Sequence, residues 1–228
     1  MKKILMTLMT GILAASMLVI GCKKNEESSA KLEGNGLTKE INNLVPEEIR
    51  NEMTALGMPI NTGENPPSLE NIYLASPFIL KASNRPSDAI GMTFTDYKIK
   101  YYEQNNDNLT VKSDYVNGPE TGTGLGSYIV GNNNTFTTFS EVSSTYQGEN
   151  AKLVHVISGT LVAEGIQDLY FANFMLDNNG NPNGIWIENG EGRVIYDSDG
   201  MSEIVSSLKL SNLENSHTDI QTVSTVNK

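Results

Sequence analysis

Apolar and polar residues alternate in short runs between about residue 71 and residue 196, and turn-forming residues separate the runs. In Tyr97–Tyr101 apolar residues alternate with lysines, so one side of the segment would face a core and the other side water. Such runs recur about every 8 to 14 residues, which is typical of an all-β sandwich or barrel. The predicted strands are Asn71–Phe78, Tyr97–Tyr101, Leu109–Val116, Ser127–Val130, Thr135–Tyr146, Lys152–Val162, Asp168–Leu176, Gly184–Glu188 and Arg193–Tyr196.

Two irregularities refine this pattern. Met92 and Phe94 are out of phase with Tyr97. This offset predicts a bulge or bend near Thr95. The segment Leu169–Leu176 is apolar on both faces, so we expect it to be the most buried strand or to line a cavity.

One helix is predicted from Pro46 to about Leu56. Pro46 suits the first helical position, the acidic pair that follows it lies at the positive end of the helix dipole, and Gly57 can adopt the left-handed cap. One face of the helix is apolar, so the helix should plug or flank the core. The apolar stripe comprises Leu44, Ile49, Met53 and Leu56.

These elements predict an all-β fold, mainly antiparallel, with one short N-terminal helix. Consecutive short strands joined by tight turns favour a meander, and closing it into a barrel removes exposed sheet edges. A lipocalin-like β-barrel is therefore favoured, with a β-sandwich as the alternative.

The N-terminus has the pattern of an export signal. Lys2 and Lys3 precede an apolar run that is shorter than the about 20 residues of a membrane-spanning helix. The run ends in Leu18–Cys22, which resembles the lipobox of bacterial lipoproteins. The resemblance implies cleavage before Cys22 and acylation of this residue, which would anchor the protein in a membrane.

The predicted organisation is a signal peptide over residues 1–21 and a lipidated, flexible tether over residues 22–40. A single β-rich domain over residues 41–210 and a disordered tail over residues 211–228 follow. Lys23–Glu27 is similar to the signal that directs Bacteroidota lipoproteins to the outer face of the outer membrane, although Asn25 departs from the pattern. We expect a surface-exposed outer-membrane lipoprotein.

Composition narrows the range of partners. The chain has 16 basic and 27 acidic residues, so loss of the two signal-peptide lysines would leave a net charge of about −13. Such an acidic body, without a cluster of basic residues, argues against nucleic-acid binding. Cys22 is the only cysteine, so the exported body contains no disulfide.

Two further stretches resemble Bacteroidota lipoproteins of uncharacterised function. They are Leu56–Pro67 together with Tyr73–Pro77, and Arg193–Gly200. The resemblance extends from the lipobox to about Gly200. It implies an envelope location and a β-rich body, and it implies no reaction.

The inventory of catalytic residues is short. His155 and His217 are the only histidines, and a serine nucleophile with a histidine base would have to use His155, with Ser158 nearby in sequence. A strand histidine without a catalytic role is the simpler interpretation. Two histidines make zinc improbable, and Gly122–Gly126 lacks a following helix, which indicates a flexible loop rather than a phosphate site. We expect no enzyme activity and no cofactor.

One spacing could hold calcium. Asp177, Asn179, Asn181 and Glu188 occupy positions 1, 3, 5 and 12 of a loop, as in a calcium-binding loop. Pro182 replaces the required glycine and the flanks resemble strands, so an Asn/Gly hairpin turn is favoured. Asp197–Gly200 is similarly interpreted as a turn.

Two functions remain open. The favoured one is non-enzymatic binding of a small apolar or glycan ligand, in or on the barrel. Aromatic residues could form a platform for sugar, although strand aromatics are more often core residues. The alternative is an accessory subunit of an envelope complex, with a solid β scaffold that contacts a partner protein. The candidate platform residues are Tyr101, Tyr102, Tyr170 and Trp186.

Overall fold

The computed structural model describes residues 30–118, 120–146 and 148–209. The predicted signal peptide, Cys22, His217 and the predicted tail after residue 210 lie outside these residues. The described chain has two helices, α1 (Lys39–Leu44) and α2 (Glu47–Ala55), followed by strands. The strands are β1 (Glu64–Asn65), β2 (Ile72–Ala75), β3 (Phe78–Ser83), β4 (Thr93–Phe94), β5 (Tyr97–Asn105), β6 (Thr110–Asn117), β7 (Glu120–Asn132), β8 (Thr135–Tyr146), β9 (Glu149–Leu161), β10 (Gly165–Asp177), β11 (Gly192–Asp197) and β12 (Met201–Ile204).

The strands form one large, mainly antiparallel sheet. Hydrogen-bonded neighbours follow the order β12-β2-β5-β6-β7-β8-β9-β10-β11-β3-β4, and β12 pairs with β10 as well. The pairings are uneven, because β8 and β9 share twelve paired positions whereas β12 and β2 share two. The predicted all-β, mainly antiparallel class is confirmed at this level.

Most predicted strands are present, with changes at their ends. Thr135–Tyr146 is β8 as predicted, and Leu169–Leu176 lies within β10, a strand buried on both faces. The predicted irregularity near Thr95 is the break between β4 and β5. The predicted strand Asn71–Phe78 is divided at Ser76–Pro77, after which β3 continues.

Two predictions for local structure are wrong. Gly184–Glu188 is not a strand, because Trp186 and Ile187 are both buried in one cluster with Leu153 instead of alternating between two faces. Gly122–Gly126 is not a loop but part of β7. A Cβ atom at Gly122 would lie 2.5 Å from the ring of Tyr115, so the glycines allow close packing rather than flexibility.

The predicted helix is α2, and Gly57 adopts the predicted left-handed conformation with φ +85°. Met53 on this helix is fully buried against the outer face of the sheet, so the helix flanks the core as expected. Within the described residues, neither helix is long and apolar enough to cross a bilayer.

The predicted boundary between tether and domain at residue 40 is wrong. The chain packs on the domain from Ala30 onwards, where the Ala30 amide donates to the carbonyl of Asp107 at 2.8 Å. Leu37 is buried and Ile41 is fully buried in helix α1. Thr38 caps this helix by accepting a hydrogen bond from the Ile41 amide. The segment 30–44 is polar enough to resemble a linker, but its few apolar residues are all used in packing.

Candidate functional site

Aromatic side chains fill the space enclosed by the inner face of the sheet. The ring of Tyr97 lies 5.5 Å from Phe78, 5.7 Å from Tyr115 and 4.9 Å from Phe171, measured between ring centroids. Phe78 and Phe171 are themselves 5.6 Å apart. These distances are those of packed aromatic pairs, so this region is a solid core.

His155 belongs to this core. Its ring packs edge-on against Tyr115 at 5.0 Å and Phe171 at 4.9 Å. Burial lowers the pKa of His155 to about 3, so the imidazole is neutral near pH 7.

Ser158 lies away from His155. Its hydroxyl group donates to the carbonyl of Phe136 and accepts from the Asn61 side chain. Positions 155 and 158 differ by an odd number on one strand, so the two side chains point to opposite faces of the sheet. The fold therefore does not assemble the serine–histidine pair that the sequence left open.

A buried ion network joins two loops at one end of the sheet. The Asp88 carboxylate accepts hydrogen bonds from the guanidinium of Arg193 at 2.6 and 2.9 Å and pairs with that of Arg85 at 3.1 Å. Arg85 also pairs with Glu191 at 3.0 Å. Burial alone would raise the pKa of Asp88, but the hydrogen bonds from Arg193 and Ser83 and the two positive charges lower it overall. The network ties the loop after β3 to the loop before β11.

The loop considered for calcium uses its side chains to hold itself together. Asp177 accepts a hydrogen bond from the Asn179 amide at 2.8 Å, and Asn181 bonds both the amide and the carbonyl of Trp186. Glu188 donates its amide to Glu191. In the described part of the chain, no group of three or more His, Cys, Asp or Glu side chains could hold a metal ion.

The candidate aromatic platform is divided by the fold. Trp186 and Tyr101 are buried, and Tyr102 is half-buried. Tyr170 is half-buried on the outer face, where its ring stacks on Tyr196 from the neighbouring strand at 6.1 Å. The Lys81 ammonium donates to the Tyr170 hydroxyl at 3.0 Å and lies 4.6 Å from the centre of its ring. We call Lys81, Tyr170 and Tyr196 the tyrosine patch.

A groove on the outer surface surrounds Tyr128, a residue that the sequence did not single out. Three adjoining depressions, of about 400, 380 and 420 Å³, all include Tyr128. We call them together the Tyr128 groove. One wall is formed by helix α1 and the start of the described chain. The residues of this wall are Ala30, Lys31, Lys39, Glu40, Asn43 and Leu44.

A β-bulge places Tyr128 in the groove. The register of β7 shifts against both neighbouring strands between Gly124 and Tyr128, and Gly126 has φ +59°. A bulge bends the strand and redirects its side chains. Gly126 was the only sequence signal for the bulge. The groove itself had none, since its walls come from parts of the chain that are far apart.

Side chains of both charges border the groove. Lys112 and Glu103 form a salt bridge on one side, and Glu141 and Lys152 approach to 3.7 Å near the other. The lysine, glutamate and hydroxyl side chains that line the groove can form hydrogen bonds and ion pairs with a bound molecule. Comparisons with protein-family models, curated proteins and solved structures found no match to this chain.

Proposed function

We propose that this protein is a lipid-anchored, non-enzymatic interaction subunit of the bacterial cell envelope, with a solid β scaffold that binds a partner protein at the Tyr128 groove. The filled aromatic core around Tyr97 is the observation that carries this proposal. A scaffold whose interior is occupied by its own side chains leaves the outer surface and the loops to bind a partner. Of the two functions left open by the sequence, the core therefore favours the accessory subunit.

The same proposal interprets the scaffold as a closed barrel. The pairings from β12 through β2, β5, β6, β7, β8 and β9 lead to β10, and β10 pairs with β12. β11, β3 and β4 then continue β12, β2 and β5 across short breaks, so eight strand segments form the wall. The proposed barrel thus has a lipocalin-like order of consecutive antiparallel strands, but its interior is filled by side chains instead of being hollow.

The anchor and the groove would lie close together. Ala30 and Lys31 line the groove and are eight and nine residues from Cys22, the proposed acylated residue. Export through residues 1–21 and acylation of Cys22 are supported by the lipobox-like sequence, and surface display by Lys23–Glu27. A partner bound at the groove would thus be held near the outer membrane, where a protein complex could assemble.

Photo-crosslinking in intact cells tests this function. A photoreactive amino acid would replace Glu40 or Asn43 in the groove, both exposed on helix α1, and Ile90, a 63% exposed residue outside the groove, would serve as the control position. We expect one discrete protein adduct from both groove positions and none from position 90. Equal adducts from all three positions, or none from the groove, would refute the proposed binding surface.

The anchor is tested with Cys22→Ala. This variant should move from the membrane fraction to the soluble fraction, and mass spectrometry of the wild-type N-terminus should find an acylated Cys22. An unmodified Cys22 in membrane-associated protein would contradict the lipoprotein assignment.

The tyrosine patch favours glycan binding as a second candidate function. Stacked aromatic rings offer faces to the apolar side of a pyranose, and the Lys81 ammonium supplies a hydrogen-bond donor beside them. A glycan array with wild-type protein and with Tyr196→Ala would test it, with Tyr102→Ala as the control. Loss of a specific glycan signal in Tyr196→Ala alone is the expected result, and no signal above background for the wild type would exclude this function.

A further inference from the structure

Three neighbouring strands are interrupted at the same level of the sheet. β2 and β3 are separated at Ser76–Pro77, β11 and β12 at residues 198–200, and the register of β10 shifts between Gln167 and Tyr170. The breaks are in contact, because the Ser198 amide donates to the carbonyl of Pro77 at 2.9 Å and the Asp168 amide to that of Gly200 at 3.1 Å. We call this region the seam.

A buried carboxylate lies in the seam. Asp197 is only 2% exposed. Its Oδ2 atom accepts hydrogen bonds from the Ser202 hydroxyl at 2.7 Å and from the Ser76 amide at 3.3 Å. Its Oδ1 atom is buried and accepts no hydrogen bond from an amide or hydroxyl group of the described residues. A buried, unpaired carboxylate oxygen is costly, so it calls for a partner.

A second carboxylate lies next to it. The side chain of Asp199 is within hydrogen-bonding reach of the Asp197 carboxyl group, and Asp199 is exposed to solvent. Neither residue forms a salt bridge within residues 30–118, 120–146 and 148–209. Two carboxylates in contact repel each other unless a cation or a proton lies between them.

We propose that the seam binds a hard divalent cation, with calcium as the best fit, through the carboxylates of Asp197 and Asp199. The side chains available here supply oxygen only, and calcium accepts six to eight oxygen ligands, including backbone carbonyls and water. Two carboxylates balance its charge, and the exposed side of Asp199 leaves room for water. The cation would hold the turn between β11 and β12 against the seam, where β10, β11 and β2 meet.

Calcium titration of the chelator-treated, purified protein by isothermal calorimetry tests the site. Asp199→Asn is the informative variant, because its amide oxygen can still accept the hydrogen bond that Asp199 receives from the Met201 amide at 2.9 Å. Asp177→Asn is the matched control, since exposed Asp177 accepts the equivalent bond from the Asn179 amide in another turn. Both variants should therefore keep their turns.

We expect wild-type protein and Asp177→Asn to bind calcium with a Kd of about 10⁻⁴ to 10⁻³ M, as in extracellular modules. Asp199→Asn should bind at least about tenfold more weakly. The thermal unfolding midpoint of the wild type should rise with calcium, and that of Asp199→Asn should not.

Three results would overturn the proposal. They are absence of binding up to about 10 mM calcium, equal affinity in Asp199→Asn, and equal loss in Asp177→Asn. None of these outcomes depends on the Tyr128 groove, so the two proposals can fail separately.

Discussion

The sheet has two halves with different surroundings. In the covered half, strands β8 to β11, the inner face packs on the aromatic core and the outer face packs on the N-terminal segment with α1 and α2. In the open half, strands β5 to β7, the inner face meets the same core, but much of the outer face carries polar side chains. Thr123 and Tyr102, for example, both donate hydrogen bonds to Asp114 on this outer face.

This difference indicates that the covered half mainly stabilises the fold and that the open half is available for binding. The covered half buries apolar side chains on both faces, so it should contribute most of the free energy of folding. The open half contributes one apolar face and, beside helix α1, the Tyr128 groove. A surface that is not needed to cover the core is free to bind a partner.

Truncating the core of the covered half should have the largest effect. Phe171→Ala removes a fully buried ring that contacts Phe78, Tyr97 and His155, and should lower the free energy of unfolding by about 3–5 kcal/mol. Tyr102→Ala on the outer face of the open half should cost less than about 1 kcal/mol. Urea denaturation of both variants measures the difference. Similar losses would show that the two halves are not distinct.

Removing the cover itself should be the next largest effect. Ile41→Ala empties a fully buried position in α1 and should cost about 2–4 kcal/mol. Asn43→Ala, an exposed position on the same helix, is the control and should change stability by less than about 0.5 kcal/mol. If Ile41→Ala were neutral in urea denaturation, the packing of helix α1 on the sheet would not contribute to stability.

The contrast between the halves also explains what the sequence could predict. The strands at Tyr97–Tyr101 and at the two-sided apolar run Leu169–Leu176 were both predicted correctly. The expectation that the lysine side of the first strand faces water is wrong for Lys98, which is only 9% exposed and donates to the Lys209 carbonyl. Helix α1 is short and polar, and apart from the Thr38 cap it is stabilised by its packing on the sheet. Trp186 and Ile187 resembled a strand because a buried loop and a buried strand have similar composition.

Sites built from distant parts of the chain could not be predicted in the same way. Asp88 and Arg193 are 105 residues apart, and no pattern connects them before the fold does. The Tyr128 groove likewise combines the start of the described chain with four strands, β5 to β8. Only the close packing of Gly122 and the bulge at Gly126 had a local signal, and glycine alone did not distinguish a strand from a loop.

Enlarging Gly122 tests whether the inner face of the open half is as tightly packed as that of the covered half. An added methyl group would lie 2.5 Å from the Tyr115 ring, which is itself stacked on Tyr97 and cannot move freely. Gly122→Ala should therefore cost about 1–3 kcal/mol. Gly34→Ala, where no atom lies within 4 Å, should change stability by less than about 0.5 kcal/mol. If Gly122→Ala did not change stability in urea denaturation, the inner face of the open half would be loosely packed.

The last predicted effect depends on pH and comes from His155, on β9 in the covered half. The folded protein keeps this imidazole neutral down to a pKa of about 3, whereas the unfolded chain takes up a proton below its ordinary pKa of 6.5. Stability from this group is thus fully present above about pH 6.5 and is lost as the pH falls. Between pH 7 and pH 5 the loss should be about 2 kcal/mol.

His155→Phe should remove most of this pH dependence, because a phenyl ring can pack against Tyr115 and Phe171 without titrating. Urea denaturation of both proteins at pH 7 and pH 5 measures it, and the difference between the two slopes cancels the contribution of the carboxylates they share. Parallel slopes would mean that protonated His155 reaches water in the folded state. The core would then admit water at His155, and the covered half would be less well packed than the ring distances indicate.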